Sequence, residues 1–434
     1  MNQRQKLYWL GVLLIFALLE YMTLGYWKGS LGIYFSPIVF FMASMGVSVT
    51  AIYGCYHLPK SDLVITSKSP GLLFYILIPL LGLLIWYGYS VFVQHPIDNN
   101  KSDVFAQVLS PAQWLLQGQY PYQDVVLPTY TMHNTYLPMQ WLPFVLSVLL
   151  DFDPRWLPVS VWAIFMLVFV LKLPVSQPKF SASNIIFTLV MGIMTVLGIF
   201  QFIQYSPFDF AVTLELLPTA YYILLVLALL RGRWWGIGLS MGMCLMSRFS
   251  IILLLPFIGW YIWKRFGGNV LWKSMSVTTG FILLIFVLPF LTKDPQLPVK
   301  ILSNYDNGAF GEWQTHGWQE PGTEPYQLAR GLGAAIFVKR LYEYDITDGV
   351  HHLKQASVFF SVLVGLFMIY LYQRDRDTIH QDWILLGGIK LYMTVFYTLV
   401  LIPYPYLFVL PITITCLILL KAYKDINIII VRRN

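Results

Sequence analysis

Residues 71–93 read GLLFYILIPLLGLLIWYGYSVFV, a stretch without a single charged side chain. About 20 consecutive apolar residues span a hydrocarbon layer of roughly 30 Å when they form a helix. The stretch is therefore long enough to cross a bilayer, and runs of the same kind recur along the chain. They lie at 7–27, 33–57, 157–173, 185–203, 209–230, 234–247, 249–263, 272–292, 353–373, 383–402 and 405–420.

The composition excludes several classes of protein. Of 434 residues, 57% are hydrophobic and 11% are charged, whereas a soluble domain has about 25% charged residues. So few charges cannot cover a soluble fold, and a disordered chain or a secreted disulfide scaffold is equally excluded. The three cysteines, Cys55, Cys244 and Cys416, lie in apolar runs without metal or redox spacing, which predicts buried small side chains.

The basic residues predict the topology. The net charge is +7, and most Lys and Arg residues flank apolar runs on alternate sides. The positive-inside rule then places both termini in the cytoplasm and two long polar stretches, 94–135 and 293–351, outside it. We expect an all-α bundle of about 12 spans, forming one polytopic domain over residues 1–434 in the plasma (inner) membrane.

One segment leaves the topology open. Residues 136–150 are apolar but short, and they contain Pro138 and Pro143. The parity of crossings is kept when this segment is re-entrant or lies flat, because non-helical backbone at membrane depth is tolerated where protein covers it. The alternative is a full span that violates the charge rule elsewhere.

The first polar stretch carries the candidate chemistry. Asp98 and Asp103 precede a predicted interfacial helix, Val104 to Gln117, with Asp103 at its N-cap position. A Gly-x-x-Pro-Tyr turn follows at 118–122, and the chain re-enters the membrane through the motif at 133–138, HNTYLP. A second feature is Arg248, at the tip between the short runs 234–247 and 249–263, where an arginine is costly without an anionic partner.

These motifs, in this order, resemble the integral-membrane GT-C glycosyltransferases, above all the polyprenol-phosphate-mannose-dependent type. The family pattern has an aspartate with nearby aromatics, then L-x-G-x-x-P-Y, then Y-P-P. The matching residues are Asp103, Phe105, Leu116, Gly118, Pro121, Tyr122, Tyr136 and Pro138. Two departures stand out: the last motif is Tyr-Leu-Pro, and two additional spans precede the usual first one.

The resemblance implies transfer of a sugar, with mannose the suggested one, from a polyprenyl phosphate to an acceptor glycan, lipid or protein outside the cytoplasm. Such a reaction needs a general base for the acceptor and a cation for the leaving phosphate. We expect Asp103 to be the base, Asp98 a second acid and Arg248 the phosphate ligand. Tyr122, His133, Asn134, Tyr136 and Asp209 are candidate substrate contacts, joined from the second stretch by Glu312, His316 and Trp318.

Each of these residues also has a structural interpretation. Asp103 can simply cap its helix, Asp98 can stabilise a turn, Arg248 can anchor a helix end, and tryptophans form ordinary interfacial belts. The sequence indicates no cofactor, although Asp98 and Asp103 together could hold a divalent ion. Two other functions remain open at this point: a secondary transporter or lipid flippase, and a polysaccharide polymerase or ligase. We expect membrane lipids as partners and no nucleic acid.

Overall fold

The computed structural model describes residues 3–58, 71–128, 130–172, 182–314, 324–376 and 378–431. Within these ranges the regular structure is helical apart from one two-stranded hairpin. The helices are α1 (Gln3–Leu24), α2 (Trp27–His57), α3 (Leu72–Gln94), α4 (Val104–Leu116), α5 (Pro138–Trp141), α6 (Val145–Leu149), α7 (Trp156–Lys172), α8 (Ala182–Tyr205), α9 (Pro207–Val212), α10 (Leu216–Arg231), α11 (Trp234–Leu245), α12 (Leu255–Phe266), α13 (Gly268–Ile282), α14 (Leu297–Trp313), α15 (Tyr326–Arg330), α16 (Ala335–Leu341), α17 (Ile346–Asp375), α18 (Gln381–Thr398) and α19 (Val409–Val431).

Shorter turns extend or join some of these helices. The 3-10 turns are Leu142–Phe144, Phe249–Leu254 and Pro405–Phe408, and α13 continues as a π-helix over Leu283–Leu291. With these extensions, eight helical stretches are long and apolar enough to cross a membrane. The prediction of a multi-pass integral membrane protein is confirmed at that level. Shorter apolar helices, among them α7, α10 and α11, accompany the eight.

Helix α19 is the centre of the bundle. Of its apolar window, which begins in the preceding 3-10 turn, 94% is buried. It packs against α1, α8, α10 and α18, while α2 covers α1 and α18 from the other side. A helix that is apolar all round fits such a central position, because every face of it meets protein. The first two spans are thus integral to the bundle core.

The predicted span 209–230 is wrong at its start. The structure has α9 (Pro207–Val212), then a break, then α10 from Leu216. Thr213 is extended, and its hydroxyl accepts a hydrogen bond from the Glu215 amide at 3.1 Å. Pro218 has no amide hydrogen to donate to an earlier turn, so it is compatible only with the first turn of a new helix. The break leaves Glu215 at the beginning of α10.

The segment 136–150 does not connect opposite ends of the bundle. It forms α5 and α6, joined by a 3-10 turn that contains Pro143. Residues 138–149 as one helix would be about 18 Å long, too short for a full span. Arg155, just before α7, donates to the backbone oxygens of Phe92 and His95, at 3.1 and 2.6 Å. The start of α7 therefore lies beside the end of α3, which supports the re-entrant or flat interpretation.

The two polar stretches meet at one end of the bundle, here called the loop end: residues 95–128, 130–155, 292–314 and 324–345. The Tyr120 hydroxyl donates to the backbone oxygen of Phe290 at 3.3 Å, and α14 contacts the hairpin of the first stretch. The second stretch contains the helices α14, α15 and α16. The prediction that both stretches share one face agrees with these contacts.

The hairpin pairs β1 (Asp124–Val126) with β2 (Thr131–His133) in antiparallel register, with Asp124 opposite His133. Val125 and Leu127 pack with Ala106 of α4, so the hairpin lies on the interfacial helix. It was not predicted, and it fixes the positions of Tyr130 and His133.

Candidate active site

Asp103 lies immediately before α4 and is half-buried. Its backbone has helical angles (φ −87°, ψ −9°), and its carboxylate makes no capping hydrogen bond. The expected side-chain cap is therefore absent, because an N-cap residue needs a non-helical backbone to turn its side chain towards the helix amides. The carboxylate instead accepts a hydrogen bond from the Tyr130 hydroxyl at 3.0 Å. It is thus directed towards the hairpin and remains available for chemistry.

Arg248 stands between α11 and the 3-10 turn Phe249–Leu254, in an extended conformation. Its Nε donates to Oε2 of Glu215 at 3.2 Å, and its Nη2 is paired with Oε1 of the same carboxylate. The Glu215 side chain is 3% exposed and that of Arg248 is 24% exposed. The predicted need for an anionic partner is met by Glu215. One edge of the guanidinium is occupied, and part of Arg248 still reaches the surface of the site.

Asp103 and Arg248 act on the same tyrosine. Burial raises the pKa of Tyr136 above its usual range; the nearby negative charge of Asp103 raises it further and the positive charge of Arg248 lowers it. Charges act on a neighbouring group most strongly at short range in a partly desolvated environment. Tyr136, which matches the family motif, therefore lies within electrostatic range of both the candidate base and the candidate phosphate ligand.

The second polar stretch completes the site through α14. Burial raises the pKa of Tyr305, and Arg248 lowers it. Glu312 accepts a hydrogen bond from the Tyr404 hydroxyl at 3.1 Å. Burial is the main cause that raises the pKa of Tyr404, and the negative charges of Glu312 and Asp103 raise it further. Tyr305 and Glu312 are seven residues apart, which places them on one face of α14. Glu312 is therefore held against Tyr404 at the loop end, the end of the bundle at which Asp103 and Arg248 lie.

Tyr122 has a structural role. It is 3% exposed, and its hydroxyl accepts a hydrogen bond from Trp141 Nε1 at 3.2 Å. Its ring packs against Trp141 and Phe290. The preceding turn depends on Gly118, whose φ of 74° lies in the left-handed region that favours glycine. The Gly-x-x-Pro-Tyr motif thus holds the loop on the bundle, and the substrate contact expected of Tyr122 stays a prediction.

His133 and Asn134 follow one another at the end of the hairpin. His133 Nδ1 lies 2.9 Å from Oδ1 of Asp124, its cross-strand partner. Asn134 is fully buried, and its Oδ1 accepts a hydrogen bond from the Tyr136 amide at 3.0 Å. Asn134 thereby positions Tyr136, which supports its predicted place in the site.

Asp98 forms a local turn. Its Oδ1 accepts hydrogen bonds from the backbone amide and the side-chain Nδ2 of Asn100, at 3.0 and 2.9 Å, and Lys101 lies 3.7 Å away. These hydrogen bonds from Asn100 lower the pKa of Asp98. These contacts agree with the interpretation that Asp98 stabilises a turn. None of them joins Asp98 to Asp103.

Asp209 belongs to a separate cluster. Its Oδ2 lies 2.6 Å from Nη2 of Arg330, and Lys28 also acts on it electrostatically. Burial raises the pKa of Asp209, and the two cations oppose that shift. The pair attaches α15 to α9. His316 and Trp318, also predicted as sugar contacts, lie outside the described residues.

An ion pair in the bundle core could not be foreseen. Glu20 of α1 is paired with Lys390 of α18, and both side chains are 0% exposed. The hydroxyls of Ser44 and Thr415 donate to the two Glu20 oxygens at 2.8 and 2.6 Å, and Lys390 Nζ donates to the Pro411 backbone oxygen at 2.9 Å. The network is fully bonded, which favours a structural role.

In the described part of the chain, no three His, Cys, Asp or Glu side chains are grouped as metal ligands. Comparison of the chain with protein-family models, with curated proteins and with solved structures finds no match. The function therefore has to be argued from the site.

Proposed function

We propose that the chain is a GT-C-like glycosyltransferase that moves a sugar from a polyprenyl phosphate to an acceptor hydroxyl on the extracytoplasmic face. The observation that carries the proposal is that one segment, residues 134–139, links the surroundings of Asp103 and Arg248 at the loop end of a membrane-helix bundle. The Thr135 hydroxyl donates to Oε1 of Gln107, one helical turn after Asp103, at 3.2 Å, and the Met139 amide donates to the backbone oxygen of Met246, two residues before Arg248, at 2.9 Å. A carboxylate and a guanidinium on either side of one position suit an acceptor proton and a leaving phosphate.

In the proposed reaction, the acceptor oxygen attacks the anomeric carbon of the sugar. The bond from that carbon to the phosphate oxygen breaks, and its electron pair stays on the phosphate. The acceptor proton passes to Asp103. The full negative charge of the released polyprenyl phosphate is stabilised by Arg248, because a pre-organised cation stabilises charge as it develops.

Glu215 fits this role of Arg248. It holds the edge of the guanidinium formed by Nε and Nη2. An arginine presents five N–H donors, so the end formed by the two Nη atoms keeps donors for a second, bidentate acid. The buried carboxylate would fix the orientation of Arg248 before the phosphate arrives.

The architecture supports the same proposal. We infer twelve crossings: the eight long apolar stretches together with α7, α10, α11 and α18. This count keeps both termini in the cytoplasm, places the plasma (inner) membrane around the bundle and puts the loop end outside. Apolar helices below the site offer the lipid tail a path within the bilayer.

The test uses purified protein in liposomes, supplied with labelled polyprenyl-phosphate hexoses and a membrane glycolipid extract as acceptor. We expect label to move from the donor to the extract, with mannose tried first. A transporter or flippase would instead move the donor across the bilayer without breaking its glycosyl bond. A polymerase or ligase would require a diphosphate-linked oligosaccharide. The proposal would be contradicted if no sugar is transferred from the monophosphate donors and the protein either moves the intact donor across the bilayer or acts only on a diphosphate-linked oligosaccharide.

A further inference from the structure

Two buried amides in the site have hydrogen-bond donors without acceptors. Asn134 is 0% exposed and Gln140 is 3% exposed. Among the described residues, neither Nδ2 of Asn134 nor Nε2 of Gln140 has a hydrogen-bond partner. A buried donor without a partner costs on the order of 1–3 kcal/mol, so native proteins rarely retain one without a reason.

The backbone fixes the direction of both amides. The Tyr136 amide donates to Oδ1 of Asn134 at 3.0 Å, and the Leu137 amide donates to Oε1 of Gln140 at 3.3 Å. A backbone N–H must meet an oxygen, so flipping either side chain would bring two donors together. In each side chain, the NH₂ group with its two N–H donors therefore points away from the backbone N–H that donates to the oxygen of the same amide.

The two amides are also held close together. Their oxygens cap two consecutive backbone amides, those of residues 136 and 137. Both NH₂ groups therefore belong to one short segment of the chain, 134–140. Gln140 was not foreseen as a site residue, because an isolated glutamine beside an aromatic run resembles ordinary loop polarity.

The segment that carries the pair is attached to the surroundings of both proposed functional groups. Near its start, the Thr135 hydroxyl donates to Oε1 of Gln107, one helical turn after Asp103, at 3.2 Å. Near its end, the Met139 amide donates to the backbone oxygen of Met246, two residues before Arg248, at 2.9 Å. Asn134 and Gln140 therefore belong to the segment that connects the candidate base to the candidate phosphate ligand.

We propose that Asn134 and Gln140 bind the hydroxyl groups of the sugar being transferred. The inference rests on the proposed function. Uncharged N–H donors suit neutral oxygen acceptors, and a sugar ring offers several hydroxyls to the NH₂ groups of one short segment. A site built to hydrogen-bond a substrate hydroxyl discriminates strongly against ligands that lack it. The two amides would therefore give the site its preference for a sugar-bearing donor.

The experiment compares two probes on the full chain: a short-chain isoprenyl phosphate and the same lipid carrying a hexose. The measured quantity is the ratio of their dissociation constants. Gln140→Glu and Asn134→Asp keep the oxygen that caps the backbone and remove the NH₂ group. Gln140→Met removes it without adding a charge. The isoprenyl phosphate is a monoester with more negative charge than the hexose-bearing diester, so an added carboxylate repels it more strongly. The added charge alone would therefore raise the preference for the hexose-bearing lipid, and a fall in that preference reports the lost NH₂ group.

The wild type should bind the hexose-bearing lipid more tightly, and each variant should lower that preference by about tenfold, the scale of one lost hydrogen bond. Gln113→Glu, the same change on the exposed face of α4, is the matched control and should leave the ratio unchanged. Thermal unfolding of each variant checks that it is folded.

Three results would overturn the inference. An unchanged ratio in all variants would mean that the donors bond only to water. If the wild type binds both lipids equally, the protein makes no contact with the sugar, although the phosphate site at Arg248 would be retained. A wild type that binds neither lipid would contradict the proposed function itself.

Discussion

Removing Arg248 should destabilise the protein through Glu215. The Glu215 side chain is 3% exposed, and its two oxygens are paired with Nε and Nη2 of Arg248. Arg248→Ala leaves that carboxylate buried without its cation. Loss of one partner of a buried pair costs about 3–5 kcal/mol. Since the Arg248 side chain is 24% exposed and water can partly replace it, we expect about 3 kcal/mol.

The double variant Arg248→Ala/Glu215→Gln should recover most of this loss, because it leaves no buried charge unpaired. Unfolding in mixed micelles measures the free energies, and double-mutant analysis gives the coupling. Arg233→Gln, at an exposed arginine, is the matched control and should change stability by no more than about 0.5 kcal/mol. The folded double variant should still lose binding of a polyprenyl phosphate.

Two outcomes would refute this reasoning. A cost below about 1 kcal/mol for Arg248→Ala would show that Glu215 does not depend on the arginine. A double variant that binds the donor phosphate normally would show that Arg248 is only an anchor at the helix end.

Three further predictions concern catalysis, topology and the bundle core. Asp103→Asn keeps an oxygen that accepts from the Tyr130 hydroxyl, so the free energy of unfolding should change by less than about 1 kcal/mol. Turnover should fall by about 10²-fold, because the general base is lost. Near-normal sugar transfer would place the base elsewhere. A cysteine at position 100 should react with an impermeant thiol reagent from outside the cell and one at position 233 should not, and the reverse pattern would invert the topology. Lys390→Met should cost about 3–5 kcal/mol in unfolding measurements, with most of it regained when Glu20→Gln is added; an additive loss would contradict a mutually dependent pair.

The membrane helices and the first-loop helix could be predicted from sequence because their signals are local. A run of apolar residues reports a span directly, and α4 ends one residue before its predicted end. Glycine, proline and tyrosine in 118–122 marked a turn correctly, but the packing of Tyr122 against Trp141 and Phe290 has no local signal. The hairpin escaped prediction because each strand has only three residues, too few for an alternating pattern.

Partners far apart in sequence could not be assigned. Arg248 was expected to need an anion, but nothing local identifies Glu215, 33 residues earlier, as that anion. Glu20 and Lys390 are 370 residues apart, so only the packing of α1 against the rest of the bundle pairs them. The break before α10 depended on the backbone at Thr213, which apolar periodicity does not report.

The most direct test of the account is a structure of the protein in a lipid nanodisc with a polyprenyl-phosphate hexose bound to an inactive Asp103→Asn variant. The account predicts the phosphate within about 3 Å of the Nη atoms of Arg248, the sugar ring beside Tyr136, and the isoprenoid tail between apolar helices. A phosphate bound elsewhere, with Arg248 still paired only with Glu215, would contradict the central claim that these residues form a glycosyl-transfer site.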